Sequence, residues 1–105
     1  MRNILQDIEK IMDNIKFKPS DIKIYSLLLE KGAMRVSEIA RELNLSSRFV
    51  RDRLKDLNSR GIVKKEMIQE GWIGYVYMAE TPLKVVKKLK STLIKELESL
   101  EKLLE

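Results

Sequence analysis

Between Ser46 and Gly61 the chain carries neither proline nor glycine, and Val50, Leu54 and Leu57 recur at intervals of four and three. On a helix of about 3.6 residues per turn that spacing stacks the three side chains on one face, which must be buried. The opposite face is thereby settled too. Ser47, Arg48, Arg51, Asp52 and Lys55 project together to solvent, with Phe49 at the edge. Ser46 is an N-cap candidate and Gly61 a C-terminal stop. Just before it, Ser37 can cap a helix through Leu43, with Glu38 in its first turn and Ile39, Ala40 and Leu43 facing inward, and Asn44-Leu45 forms the turn between the two. Two short helices joined by a tight turn are therefore expected in sequence.

The flanks extend this pattern. Pro19 suits the first position of a helix whose core face is read as Ile22, Tyr25, Leu28 and Leu29, with Asp21 near its positive end and Gly32 as its stop. Ala33-Met34-Arg35-Val36 fits one small strand. Residues 62–68 and 73–79 are rich in Ile, Val, Tyr and Met around Gln69-Glu70-Gly71-Trp72, and read as a hairpin. Helix, strand, helix, turn, helix, hairpin is the order of a winged helix. The expected fold is mainly α with a small β-hairpin wing: a winged helix-turn-helix flanked by N- and C-terminal dimerisation helices. The segments are 1–17, 18–80 and 81–105.

Charge says what the exposed stripe meets. The net charge is +5, and residues 46–65 hold seven basic and two acidic groups, equal to the whole excess. A basic surface concentrated on one element suits a polyanion. The chain has no cysteine and no histidine, which removes disulfides, thiol and imidazole chemistry and the usual zinc ligands. Its acidic residues mostly stand at helical spacing beside basic ones, as on solvated faces. No catalytic residue, metal site or cofactor is expected. No continuous apolar run marks a signal peptide or membrane span, so a cytoplasmic location and no membrane partner are expected.

The two ends carry long apolar stripes. Ile4, Ile8, Ile11 and Ile15 follow a helical period near the N-terminus, with Leu5 and Met12 beside them. After Thr81-Pro82 no breaker recurs, and Val86, Leu89, Leu93, Leu97, Leu100 and Leu104 form a nearly heptad seam, widened by Ile94 and Leu103. A helix this long cannot bury its stripe within so small a domain. A second copy is expected to supply the missing surface, with the N-terminal stripe joining the same interface. The alternative is that the N-terminal helix folds back along the C-terminal one in a monomer. Lys84, Lys87, Lys88 and Lys90 either extend phosphate contact or keep the emerging helix soluble.

These readings converge on double-stranded DNA as partner. Such a helix fits the major groove, with Arg48 and Arg51 on bases and Ser46, Ser47 and Lys55 on the backbone. Asp52 either holds Arg48 or accepts from cytosine. Arg53, Arg60, Lys64 and Lys65 flank the stripe, and Lys64 or Lys65 is expected on phosphate. The acidic hairpin tip at Glu70 disfavours a phosphate contact there. Trp72 either touches sugar or a base edge or packs against a neighbouring helix, the second being favoured for so large an apolar surface. Two other functions fit the same elements: an architectural protein that coats DNA without reading it, and a protein-interaction module. A small-molecule effector is not identified by any residue.

Ile22-Lys23-Ile24-Tyr25-Ser26-Leu27-Leu28, Val36-Ser37-Glu38-Ile39-Ala40, Ser47-Arg48-Phe49-Val50 and Leu54-Lys55-Asp56-Leu57-Asn58-Ser59-Arg60-Gly61-Ile62-Val63 resemble the DNA-binding domain of TrmB-like archaeal transcriptional regulators. MarR-like and ArsR-like regulators share parts of these motifs. The resemblance covers about residues 17–82 and implies a dimeric transcription regulator whose fourth helix enters the major groove. TrmB regulators carry a sugar-binding effector domain after the linking helix, which is not expected here. The acidic tip at Glu70 differs from the basic wing tips common in such proteins.

Overall fold

The computed structural model describes residues 3–105, so Met1 and Arg2 of the expected N-terminal segment lie outside the described residues. Two compact units emerge, one of Lys18–Thr81 and one that joins the N-terminal residues through Phe17 to Pro82–Glu105.

The first unit begins with α2 (Pro19–Lys31), α1 belonging to the other unit. Pro19 occupies the first turn, where its missing N–H has no partner to lose. The Lys18 backbone N–H donates to Asp21 Oδ2 at 3.0 Å, and Gly32 ends the helix at φ 82°. Its buried face differs from expectation. Asp21, Ile24, Leu27 and Leu28 are buried, whereas Ile22 is 60% and Leu29 48% exposed. The apolar residues span more than half of this helix's circumference, so periodicity alone did not single out the inward arc, which also takes in the buried acid Asp21.

Helix α3 (Val36–Leu43) starts two residues earlier than a Ser37 cap requires. Arg35 is the N-cap, and the Glu38 carboxylate, three residues on, accepts the Arg35 backbone N–H at 2.9 Å. This early start shortens the expected strand at Ala33–Val36 to a single bridge, in which Met34 and Tyr77 exchange hydrogen bonds of 3.0 and 2.8 Å. Asn44 then turns the chain in the left-handed region (φ 55°), and Leu45 N–H returns to the Ala40 carbonyl.

Helix α4 (Ser47–Ser59) follows at once, its N-terminus closed by Ser46 Oγ accepting from Phe49 N–H at 3.1 Å. Arg60 caps its end and Gly61 leaves it at φ 76°. Strands β1 (Val63–Ile68) and β2 (Gly74–Ala79) pair antiparallel, from Val63 opposite Ala79 to Ile68 opposite Gly74. Ile62 fastens this hairpin to the unit: its N–H donates to Leu57 O and its carbonyl accepts from Glu80 N–H. The Tyr25 hydroxyl also donates to Glu80 O, at 2.6 Å. The core gathers Ile24, Leu28, Ile39, Val50, Leu54, Leu57 and Val63, all essentially inaccessible. Each such side chain contributes about 1.5–3 kcal/mol through burial.

The second unit contains α1 (Ile4–Asn14) and α5 (Pro82–Leu104). Asn3 caps α1, its Oδ1 accepting from Leu5 and Gln6 N–H. At 23 residues α5 spans roughly 35 Å at about 1.5 Å per residue. The two helices pack together within the chain, and Ile11 and Leu100 are the residues of this pair that become buried. The fold-back within one chain is thus part of the structure. It leaves most of both stripes uncovered: Ile4, Ile8, Val86, Leu97 and Leu104 are exposed, and Ile15, Leu89 and Leu93 are half-buried. Among the described residues no helix is long and apolar enough to cross a membrane.

Candidate nucleic-acid interface

The orientation of α4 decides which of its charges are free. Val50, Leu54 and Leu57 are each 0% exposed, so the helix is anchored along the face that their spacing implied. Ser47, Arg48, Arg51, Asp52 and Lys55 are all exposed on the other side. No ion pair joins Arg48 to Asp52 among the described residues, which leaves the i, i+4 alternative unrealised. Ser46 is the cap, and its oxygen is engaged by Phe49 while its hydroxyl proton remains available to donate.

A second anchor was not legible in advance. Arg53, on the same helix, turns inward and grips Asp21 of α2 with two hydrogen bonds, Nε to Oδ1 at 2.7 Å and Nη2 to Oδ2 at 2.8 Å. Nη2 also reaches Asp56 at 2.9 Å, and Asp56 lies 3.9 Å from Arg60. The Asp21 side chain is 1% exposed. Burial pushes its carboxyl up, but the hydrogen bonds from Arg53 and from the Lys18 backbone, with the Arg53 charge, outweigh this and hold it below the usual carboxylate range. Arg53 is therefore an internal strut rather than a surface cation. A planar guanidinium suits this role, since it meets both carboxylate oxygens at once.

Strand alternation sorts the two lysines of the wing. Lys65 stands opposite Tyr77 and shares its face with Tyr75, whereas Lys64 belongs to the other face, 3.8 Å from the Glu80 carboxylate. The face of Lys65 borders a concave groove of about 520 Å³ between α4, the start of α3 and the hairpin. Arg51 and Lys55 from α4, Lys65 and Tyr75 from the hairpin, Arg35 and Trp72 line it. The expected DNA-contacting residues thus fall into a connected set on α4 plus Lys65, with Lys64 apart. Trp72 is half-buried and lines this groove together with the start of α3. The Arg35 guanidinium covers its ring, 3.9 Å from the centroid. Gly74 permits this placement, because a Cβ there would stand 2.4 Å from the indole. Arg35 and Trp72 are 37 residues apart in the chain, and no local pattern could have joined them.

Residues 12–83 match the family described as sugar-specific transcriptional regulator TrmB. The chain belongs to the TrmB family. An uncharacterized protein of Methanocaldococcus jannaschii is 33% identical over 76 residues, which cover 68% of this chain and 58% of that protein. The chain therefore spans little more than half the length of this curated relative. Among solved structures, a possible transcriptional regulator from Methanosarcina mazei Go1 superposes with a TM-score of 0.70 at 14% identity, covering 95% of this chain and 85% of that one. A cysteine-to-serine mutant of ZitR from Lactococcus lactis, solved in complex with DNA, superposes with a TM-score of 0.58 at 21% identity over 85% of this chain and 61% of its own. At these identities the structural neighbours establish the fold, a winged helix shared with transcriptional regulators. For this TrmB-family chain the fold and family are those of transcriptional regulators rather than enzymes.

Proposed function

We propose that this TrmB-family chain regulates transcription as a homodimer that reads double-stranded DNA with α4 in the major groove. The observation that carries the proposal is the outward stripe of Ser47, Arg48, Arg51, Asp52 and Lys55 behind a fully buried Val50, Leu54 and Leu57. Arg48 and Arg51 pair with base edges, guanine being the partner whose two acceptors match a guanidinium. Ser46, Ser47 and Lys55 hold the backbone, and Lys65 rather than Lys64 adds a wing contact. That the similarly folded ZitR was solved with DNA bound supports the choice of ligand.

Dimerisation follows from the apolar surface that α1 and α5 leave open, including Ile8, Val86, Ile94, Leu97 and Leu104. A second copy covers it by symmetric packing. Two recognition helices related by a twofold axis then meet half-sites about 34–36 Å apart, one turn of DNA.

Selection from a random-sequence duplex pool at several salt concentrations tests this. A pseudo-palindromic motif enriched at every salt supports it. Binding with a steep salt slope and no motif would instead indicate a DNA-coating protein.

A further inference from the structure

Several cations of the winged unit are held in place, in two chemically different ways. Lys31, Arg53 and Lys64 lie within 4 Å of carboxylates, those of Glu42, Asp21 and Glu80 respectively, so each faces an opposite charge of the chain itself. Arg35 and Lys65 are held by aromatic rings instead. Arg35 lies 3.9 Å from the Trp72 centroid and the Lys65 Nζ 4.0 Å from that of Tyr75. A ring attracts a cation through its quadrupole and carries no net charge. It fixes the side chain while leaving the full positive charge for another partner. Both pairs line the same groove as Arg51 and Lys55, and among the described residues no carboxylate lines it.

We infer that Arg35 and Lys65 form a preorganised seat for backbone phosphate of bound DNA, with Trp72 and Tyr75 as the positioning residues that hold the two cations toward it. The inference rests on the DNA-binding reading above and extends it to residues outside α4. Fixing the side chains beforehand reduces the rotamer entropy lost on binding. It also explains how a wing with an acidic tip contributes: its groove-facing side, rather than Glu70, approaches the duplex. Gly74 belongs to the device, because any larger residue displaces the indole that seats Arg35.

The test measures the salt dependence of binding to one selected duplex for the intact protein and for Arg35→Ala, Lys65→Ala, Trp72→Ala and Trp72→Phe. Arg35→Ala and Lys65→Ala should each lower the slope of log K against log salt by about one, with the preferred sequence unchanged. Trp72→Ala should weaken binding severalfold although it removes no charge, and Trp72→Phe should restore most of the loss. Melting curves for each variant separate these effects from unfolding, and the conservative Arg35→Lys keeps the slope if Arg35→Ala destabilises the unit. Trp72 is the only tryptophan, so its fluorescence reports on the groove directly. The duplex should change it, and inorganic phosphate at matched ionic strength should not. Unchanged slopes in variants of a wild type that binds DNA overturn this inference alone, whereas no binding by the wild type overturns it together with the proposed function. A fluorescence change with phosphate alone overturns the assignment to DNA and makes the groove a free-anion site.

Discussion

The two units of this chain solve the burial problem differently. Of the described apolar residues, twelve are buried in Lys18–Thr81, and only Ile11 and Leu100 in the paired terminal helices. The winged unit closes its core with its own side chains and adds a buried ion pair. The terminal helices offer stripes of the same residue types but leave them half open. Composition does not separate the two; closure does. A unit that closes itself is expected to melt at a temperature set by its own contacts, and one that borrows surface from a second copy at a temperature that rises with protein concentration.

The sharpest way to break this contrast is to strike the strut. Arg53→Ala leaves the Asp21 carboxylate buried without its partner, and should destabilise the winged unit by about 3–5 kcal/mol in denaturant unfolding. The same pair sets an acid limit. Because the folded Asp21 carboxyl lies below its unfolded value of about 3.9, its contribution is complete above that pH and is lost as pH falls through the lower folded value. Acid titration of the wild type should show this loss, and Asp21→Asn should flatten it.

A charge placed in the terminal seam should have a different signature. Leu97→Asp puts a carboxylate on an exposed apolar site of α5, and is expected to shift sedimentation from dimer to monomer while leaving the winged unit folded. Retention of the dimer would place the interface elsewhere. The smallest effect is reserved for the cap: Ser46→Ala removes the oxygen that accepts from Phe49 N–H and should cost about 1 kcal/mol of stability.

Much of this was written in local patterns. The Val50, Leu54, Leu57 period, the Ser46 cap, the Asn44 turn and the hairpin all depend on neighbours within a few residues, and each is where those neighbours put it. What escaped depends on distant partners. The inward arc of α2 takes in Asp21, which Arg53, 32 residues away, meets there. Trp72 is seated by Arg35 and by the absence of a side chain at Gly74. Helix period likewise identified the stripe of α1 but could not say how much of it α5 of the same chain would cover.

The most direct measurement compares the motif selected from random duplexes by the wild type with those selected by Arg48→Ala and Arg51→Ala, each confirmed folded. The expected result is that each variant loses preference at its own position in both half-sites, at about 1–3 kcal/mol for the favoured base. Identical motifs and affinities for all three proteins would contradict the claim that the face opposite Val50, Leu54 and Leu57 is what reads DNA.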